Sequence, residues 1–442
     1  MKLFCKNNPY KRKHILIYGL GKSGLASKTF LESHGAKVWT YCDGEKIRFD
    51  YDNIDLVVLS PGVSLESPVC LEFSKRKIKM ISELELGYLN LYGKLVAITG
   101  TNGKTTTTTL VGEILGKENV FIAGNIGLPL ISLSGKTDAS SITVCETSSF
   151  QLETIDMFHP QIAVILNLAP DHLIRHKTFE RYIECKKRIY KNQTQNDFLV
   201  LNYDDWSKDI MKDAPSQIYY FSTHDQFENS EFRGTYVSGG EIYFKDNIEN
   251  VFVMEIDKIK LIGKKNLENV LAGILISKLL GVNNLQISQR IQNFHPLRHR
   301  LEVVGTTQKI CYINDSKATN VASAVCDISC LGGKCVPLFG GSDKGEDFDA
   351  LFEGLGDNVL SAVVYGATKD KLAMSANKVG FSKIVECENL KQAIEKGKQI
   401  CLENYQGERI NLVLAPACAS FDEFSNYEER GDFFKKRSGG RS

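Results

Sequence analysis

The chain has 442 residues, 43% hydrophobic and 24% charged, with a formal net charge of +1. That length exceeds one ordinary core and predicts two or three domains. The near-neutral charge gives no basis for nucleic-acid or anionic-membrane binding, and no apolar run reaches the roughly 20 residues of a membrane span. The twelve cysteines form no C-x-x-C, and Cys326, Cys330 and Cys335 lack zinc-ribbon spacing. Several others (Cys145, Cys311, Cys418) sit in apolar stretches, as reduced core cysteines do. The start of the chain carries charges but no apolar signal region, so a cytoplasmic protein is expected.

From the first strand onward, apolar runs alternate with helical patterns. "HILIYGLG", "KVWTYCD" and "IDLVVLSPG" are separated by "LASKTFLESHG" and followed by "SPVCLEFSKRK". This is a βαβ rhythm and predicts a parallel sheet covered by helices. Gly19, Gly21 and Gly24 form G-x-G-x-x-G directly after the first strand, and Asp43 ends the next. The pattern suits a nicotinamide or flavin dinucleotide. Bare N–H groups at a helix N-terminus accept any pyrophosphate, however, so a UDP-linked ligand would use the same cradle.

The rhythm pauses near Asn90–Lys94 and restarts with "LVAITGTNGKTTTTTL". This resembles a phosphate loop, but the standard G-x-x-x-x-G-K-[ST] spelling would need glycine at 98, where Ile98 stands. The glycine present is Gly100, so the loop is tighter. Lys104 can reach the β/γ-phosphates and Thr105 can hold Mg²⁺. Threonine is a mediocre helix former, so the run Thr105–Thr109 makes sense where hydroxyls face something useful.

Downstream, Glu146 ends an apolar strand in "ITVCETSS", as a Mg²⁺-binding acid would. "IAVILNLAP" leads to Asp171-His172. In "FERYIECKKRIY", Phe179, Tyr182, Ile183, Ile189 and Tyr190 share a helix face with Lys186 near its centre. Three readings of Lys186 stand side by side: an ammonium snorkelling to water, an ammonium meeting an anion, and a neutral amine able to form a carbamate with CO₂. "QIYYFSTH", "GTYVSGGEIYF" and "NVFVMEID" read as antiparallel strands with glycine turns. From about residue 298, "HRLEVVG", "CYINDSKAT", "CVPLFGGSDKG", "LSAVVYG" and "NLVLAPACAS" read as strands whose ends gather small and polar residues, where ligands collect in α/β sheets.

Taken in order, "GLGKSG", "SPGV", "ISELELG", "GTNGKTTT", "GNIGLP", "ETSSFQLE", "DHLIRH", "INDSKATN" and "PACASFDEFSNYEERGDFF" resemble the Mur ligase family, the ATP-dependent amino-acid ligases of peptidoglycan synthesis. The shortened loop is a signature of that family. The last string and the G-x-G-x-x-G start are most similar to its D-glutamate-adding member. The resemblance implies α/β architecture throughout: a Rossmann-like UDP-substrate domain at 1–92, a central ATPase domain at 93–297 with a mainly parallel sheet, and a Rossmann-like amino-acid domain at 298–442.

It further implies site residues. Gly21, Lys22, Ser23, Gly24, Asp43 and Gly62 would bind the UDP portion, with Asn125 and His172 at the muramoyl region. Gly100, Thr101, Asn102, Gly103, Lys104, Thr105, Thr106, Asn266, Asn269, Arg300 and Asp315 would meet ATP. Thr105 and Glu146 would hold a first Mg²⁺, His172 and a carbamylated Lys186 a second. Lys317 would approach the phosphates, and Thr319, Lys344, Ser420 and Phe421 would form the D-glutamate pocket. The implied substrates are UDP-N-acetylmuramoyl-L-alanine and D-glutamate, the implied state a monomer whose third domain closes over the second. Departures are Lys265-Asn266, where relatives carry His-Asn, and Ile174, where an acid is common. Alternatives from the same residues are another Mur-type or a folylpolyglutamate-type ligase, a nicotinamide-dependent oxidoreductase, and a non-catalytic nucleotide-binding regulator.

Overall fold

Short apolar runs make the strands, the central ones almost wholly buried and the edge ones partly exposed. In a computed structural model, which describes residues 8–343 and 345–439, they assemble into three sheets. The first comprises β1 (His14–Tyr18), β2 (Lys37–Tyr41), β3 (Leu56–Leu59) and β4 (Met80–Ser82), in the order β2-β1-β3-β4, all parallel. Successive side chains go to opposite faces. Leu16, Tyr18, Val57 and Leu59 enter one core; Ile15, Ile17 and Val58 enter the other. Continuous apolar runs are what a parallel sheet covered on both sides requires.

The second sheet has nine strands: β5 (Lys94–Thr99), β6 (Val120–Gly124), β7 (Ile142–Glu146), β8 (Ile162–Ile165), β9 (Phe198–Asn202), β10 (Gln217–Ser222), β11 (Gly234–Ser238), β12 (Glu241–Lys245) and β13 (Asn250–Glu255). Their order is β13-β12-β11-β10-β9-β8-β5-β7-β6. The strand β5, which feeds the phosphate loop, lies between β7 and β8, so the ends of all three converge. One sequence expectation needs correcting. β10 is parallel to both β9 and β11; only β11–β12–β13 run antiparallel, the first pair joined by Gly239-Gly240 in left-handed conformations. Eleven residues separate β10 from β11, enough chain to return to the starting edge without a hairpin.

The third sheet is β14 (Glu302–Thr306), β15 (Ile310–Asn314), β16 (Cys335–Gly340), β17 (Ala362–Tyr365), β18 (Ile384–Cys387) and β19 (Ile410–Leu414), ordered β14-β15-β19-β16-β17-β18. All pairs are parallel except β14–β15. The edge strand β18, only four residues long, was not picked out from its sequence. Residues up to 258 together with 268–292 form one compact unit, holding the first two sheets; 259–267 together with the residues from 293 onward form another, holding the third. Among the described residues no helix is long and apolar enough to cross a membrane.

Candidate active site

The tight loop is held from several sides. Gly103 has φ +84°, and a Cβ there would lie 2.2 Å from Asn269 Oδ1. Only glycine fits both restrictions. Asn167, at the end of "IAVILN", accepts from the Asn102 N–H at 2.9 Å and donates to the Asn102 carbonyl at 3.2 Å. Thr101 Oγ1 meets the Tyr182 hydroxyl at 3.0 Å. Lys104, the first residue of the helix Lys104–Leu115, folds its ammonium onto the carbonyls of Gly100 and Thr101, 2.8 Å from each. The threonine run divides by role. Thr107 Oγ1 donates to Asn269 Oδ1 at 3.2 Å. Thr108 Oγ1 is buried without a hydrogen-bond partner among the described residues, so it packs rather than binds.

Lys186 lies behind the loop, on the helix Phe179–Lys187, whose N-terminus is capped by Thr178. Its side chain is 1% exposed, which removes the snorkelling reading. The amine donates to Gly100 O at 2.8 Å and Thr99 Oγ1 at 3.2 Å and lies 4.8 Å from the Tyr182 ring centre. Lys104 and Lys186 therefore share one carbonyl. Burial pushes Lys186 well below the usual lysine range, and the charge of Lys104 pushes it further.

Glu146, at the end of β7, is buried. Asn125 Nδ2 donates to its Oε1 at 2.7 Å; its Oε2 has no hydrogen-bond partner among the described residues. A buried carboxylate oxygen left open suits a hard cation. His172 sits in the left-handed region, φ +54°, with Nε2 3.4 Å from Asp171 Oδ2. Burial lowers its pKa; Asp171 opposes this, while Lys104 and Lys186 add to it. Lys104, Glu146, His172 and Lys186 thus form one electrostatic cluster. Asn167 and Tyr182 complete its frame; Asn167 was not singled out from sequence, and Tyr182 was read only as part of the apolar helix face. The available signal was a polar side chain ending an otherwise apolar run, and a tyrosine one helical turn before Lys186. Ile174, the departure in "DHLIRH", is 95% exposed.

At the ends of the first sheet is a cavity of about 370 Å³ lined by Gly21, Lys22, Ser23, Asp43, Ser60 and Gly62, among others. A Cβ at Gly24 would come 1.9 Å from the Gly19 carbonyl, so the helix and turn touch backbone to backbone. Ser60 Oγ donates to that carbonyl at 2.7 Å, and Tyr18 donates its hydroxyl to Asp43.

The remaining candidates divide between the units. Asn269 is with the phosphate loop, whereas Asn266, Arg300, Asp315, Lys317, Thr319, Ser420 and Phe421 belong to the second unit. Asp315 is buried, accepts from the Leu301 N–H at 3.2 Å, and is raised well above the carboxylate range by burial and by Asp327 beside it. Lys317 Nζ lies 5.2 Å from the ring centre of Tyr427, another residue not singled out from sequence. Ser420 is buried and Phe421 is 72% exposed. Lys344 lies outside the described residues.

The fold and the loop are those of a Mur-type ligase. Residues 98–277 match the Mur ligase middle domain. MurF from Acinetobacter baumannii superposes with a TM-score of 0.60 at 14% identity, covering 98% of this chain and 92% of that one. A pseudomurein peptide ligase type C from Methanothermus fervidus gives 0.58 at 17% identity, covering 92% and 97%. Sequence relationships are narrower. The UDP-N-acetylmuramoylalanine–D-glutamate ligase of Lachnoclostridium phytofermentans is 37% identical over 450 residues, 96% of this chain and 97% of that protein. Its namesake from Caldicellulosiruptor bescii is 39% identical over 453 residues, covering 96% and 97%. The chain belongs to the UDP-N-acetylmuramoylalanine–D-glutamate ligase family within the Mur ligases.

Proposed function

We propose that the protein joins D-glutamate to UDP-N-acetylmuramoyl-L-alanine, converting ATP to ADP and phosphate, as a cytoplasmic monomer in peptidoglycan precursor synthesis. One observation carries the reading: the buried Lys186 amine packed behind the phosphate loop, beside the open oxygen of Glu146. A dehydrogenase has no use for that arrangement, and a nucleotide sensor has no use for a second amine there.

ATP transfers its γ-phosphoryl group to the L-alanyl carboxylate, giving an acyl phosphate. The D-glutamate amine then attacks that carbon and phosphate leaves. The first step brings two anions together, and the Lys104 ammonium offsets their repulsion. The N-terminus of its helix offers N–H groups to the same phosphates. Thr105 and Glu146 would hold one Mg²⁺, and His172 with a carbamylated Lys186 a second; bound there, the ions supply further charge neutralisation. Lys186 suits carbamylation because burial favours its neutral amine, and only a neutral amine adds to CO₂, forming an N–C bond and releasing a proton. His172, lowered by burial, is likewise suited to ligation as neutral imidazole.

The first-sheet cavity is assigned to the UDP diphosphate, with Lys22, Ser23 and Asp43. The nucleotide would also meet Asn266, Asn269, Arg300 and Asp315, and Lys317 would approach its phosphates. Thr319, Lys344, Ser420 and Phe421 are assigned to D-glutamate. The three sheets support functional domains at 1–92, 93–297 and 298–442. Every described cysteine is a free thiol, in keeping with a reducing compartment.

The test is phosphate release from ATP and Mg²⁺ with the UDP substrate and a panel of amino acids including both glutamate enantiomers. Release requiring both UDP-N-acetylmuramoyl-L-alanine and D-glutamate is expected. Release with a different amino acid would overturn the specificity, and none with any would overturn the ligase reading.

A further inference from the structure

Arg430 is on the helix Tyr427–Arg437, 1% exposed, and its guanidinium spends all its donors on backbone and hydroxyl oxygens. Nε donates to Ser316 Oγ at 3.0 Å. Nη1 donates to Ala419 O at 3.0 Å and Gly340 O at 3.4 Å. Nη2 donates to Ser316 O and Cys418 O, each at 3.0 Å. These acceptors follow or end three different strands: Ser316 after β15, Gly340 at the end of β16, Cys418 and Ala419 after β19. Among the described residues no carboxylate pairs with Arg430. A buried cation without a counter-ion is costly, and hydrophobic packing alone would be a cheaper way to close a core. Something about these loops requires the planar fork.

The loops are strained in the way a held segment is. Ala417 has φ +58°, and Gly340 and Gly341 have φ +150° and +139°. A Cβ at Gly341 would lie 2.0 Å from Ala419 O and 3.0 Å from Arg430 Nη1. Non-glycine residues in the left-handed region persist where surrounding bonds over-determine them. In a trans peptide the N–H points opposite to the carbonyl. Drawing the carbonyls of Gly340 and Ala419 toward the guanidinium therefore turns the N–H groups of Gly341 and Ser420 away from it, while Ala419 itself is bridged to Ser342, whose N–H also donates to the Ala419 carbonyl at 2.9 Å. Positive dipole ends, with a full positive charge behind them, suit an anionic ligand.

We propose that Arg430 is a positioning residue for the incoming amino acid: its guanidinium ties the ends of β15, β16 and β19 into one anion-facing frame that sets Ser420 and its neighbours for a dicarboxylate. This rests on the assignment of D-glutamate to those loops. Arg430 does not touch the substrate; it acts through the peptides it binds.

The experiment uses the full chain with Arg430→Lys, which keeps charge and loses the fork, and Arg430→Met, which loses both. KM is measured for D-glutamate, ATP and the UDP substrate, together with melting temperature. Acyl phosphate formed without amino acid is trapped by hydroxylamine. The D-glutamate KM should rise tenfold or more in Arg430→Lys, and further in Arg430→Met. The other two KM values and the trapped hydroxamate should stay within twofold. An unchanged D-glutamate KM in a folded variant overturns the proposal. So do all three KM values rising together, or both variants failing to fold, since each makes the role purely structural. Wild-type protein that ignores D-glutamate is a different failure, that of the substrate assignment itself.

Discussion

At the scale of single residues, Lys186 joins stability to chemistry. Its amine has given up water for one carbonyl and one hydroxyl, 2.8 and 3.2 Å away. An ammonium there would stand close to Lys104, so the neutral form is favoured twice over. If that amine serves as a carbamate, removing it removes a metal ligand and leaves the helix intact. Lys186→Ala is therefore expected to lower turnover at least a hundredfold while its circular dichroism stays native. Its stability should change by no more than about 2 kcal/mol, because the methylenes lost from packing are offset by an amine no longer desolvated. Turnover near wild type in a folded Lys186→Ala would falsify the carbamate reading.

At the scale of elements, a pair of buried acids joins the helix after the first sheet to connecting segments between strands of the central sheet. Glu85 accepts from the N–H groups of Asp156, Met157 and Phe158, at 3.0, 2.8 and 3.0 Å. Glu83, the first residue of the helix Glu83–Leu89, accepts from the Ile131 N–H at 2.8 Å, while its Oε2 is buried without a partner among the described residues. Burial raises Glu83 to about 7, against the lowering effect of the Ile131 and Leu130 N–H groups. The folded-state pKa lies above the unfolded one, so the folded chain binds the extra proton between them. Stability from this group is full below about pH 4.5 and is lost as pH rises through 7. Wild type should lose up to about 3 kcal/mol between pH 5 and 8 relative to Glu83→Gln, which has no charge to desolvate. Urea unfolding of both proteins at the two pH values checks this; parallel curves would mean that Glu83 ionises without penalty.

These acids also mark where sequence ceases to be legible. "SELEL" reads as an ordinary helix start with exposed carboxylates, because the N–H groups that bury them come from residues some fifty to seventy positions later. Lys186 was readable as exceptional, since a lone lysine in an apolar stripe breaks helical periodicity. Which of its three readings holds was not, because its lowered pKa comes first from complete burial and then from Lys104 facing it across the fold. The βαβ rhythm gave the parallel sheets, yet the direction of β10 escaped, since alternation within a strand carries no information on the path of the following loop. Arg430 was equally hidden: in "NYEERGDFF" nothing distinguishes it from a solvated charge, and its acceptors come from three separate strand ends.

At the scale of the molecule, the two compact units each have their own cores. The clusters around Ile15, Leu16 and Leu95 belong to the first, and those around Ile313 and Tyr312 to the second. Domains with separate cores can unfold as separate cooperative units, in which case one melting temperature does not describe the chain. Calorimetry should therefore resolve two transitions, and core truncations should assign them. Phe158, fully buried in the first unit, and Phe339, fully buried in the second, are matched probes. Each Phe→Ala change should cost about 3–5 kcal/mol through lost transfer energy and the cavity left behind. At roughly 2–4 °C per kcal/mol, that lowers the affected transition by roughly 10 °C. Phe158→Ala should move one peak and Phe339→Ala the other. A single peak shifted equally by both substitutions would mean that the units unfold as one, and that binding at the phosphate loop stabilises the third sheet as directly as its own.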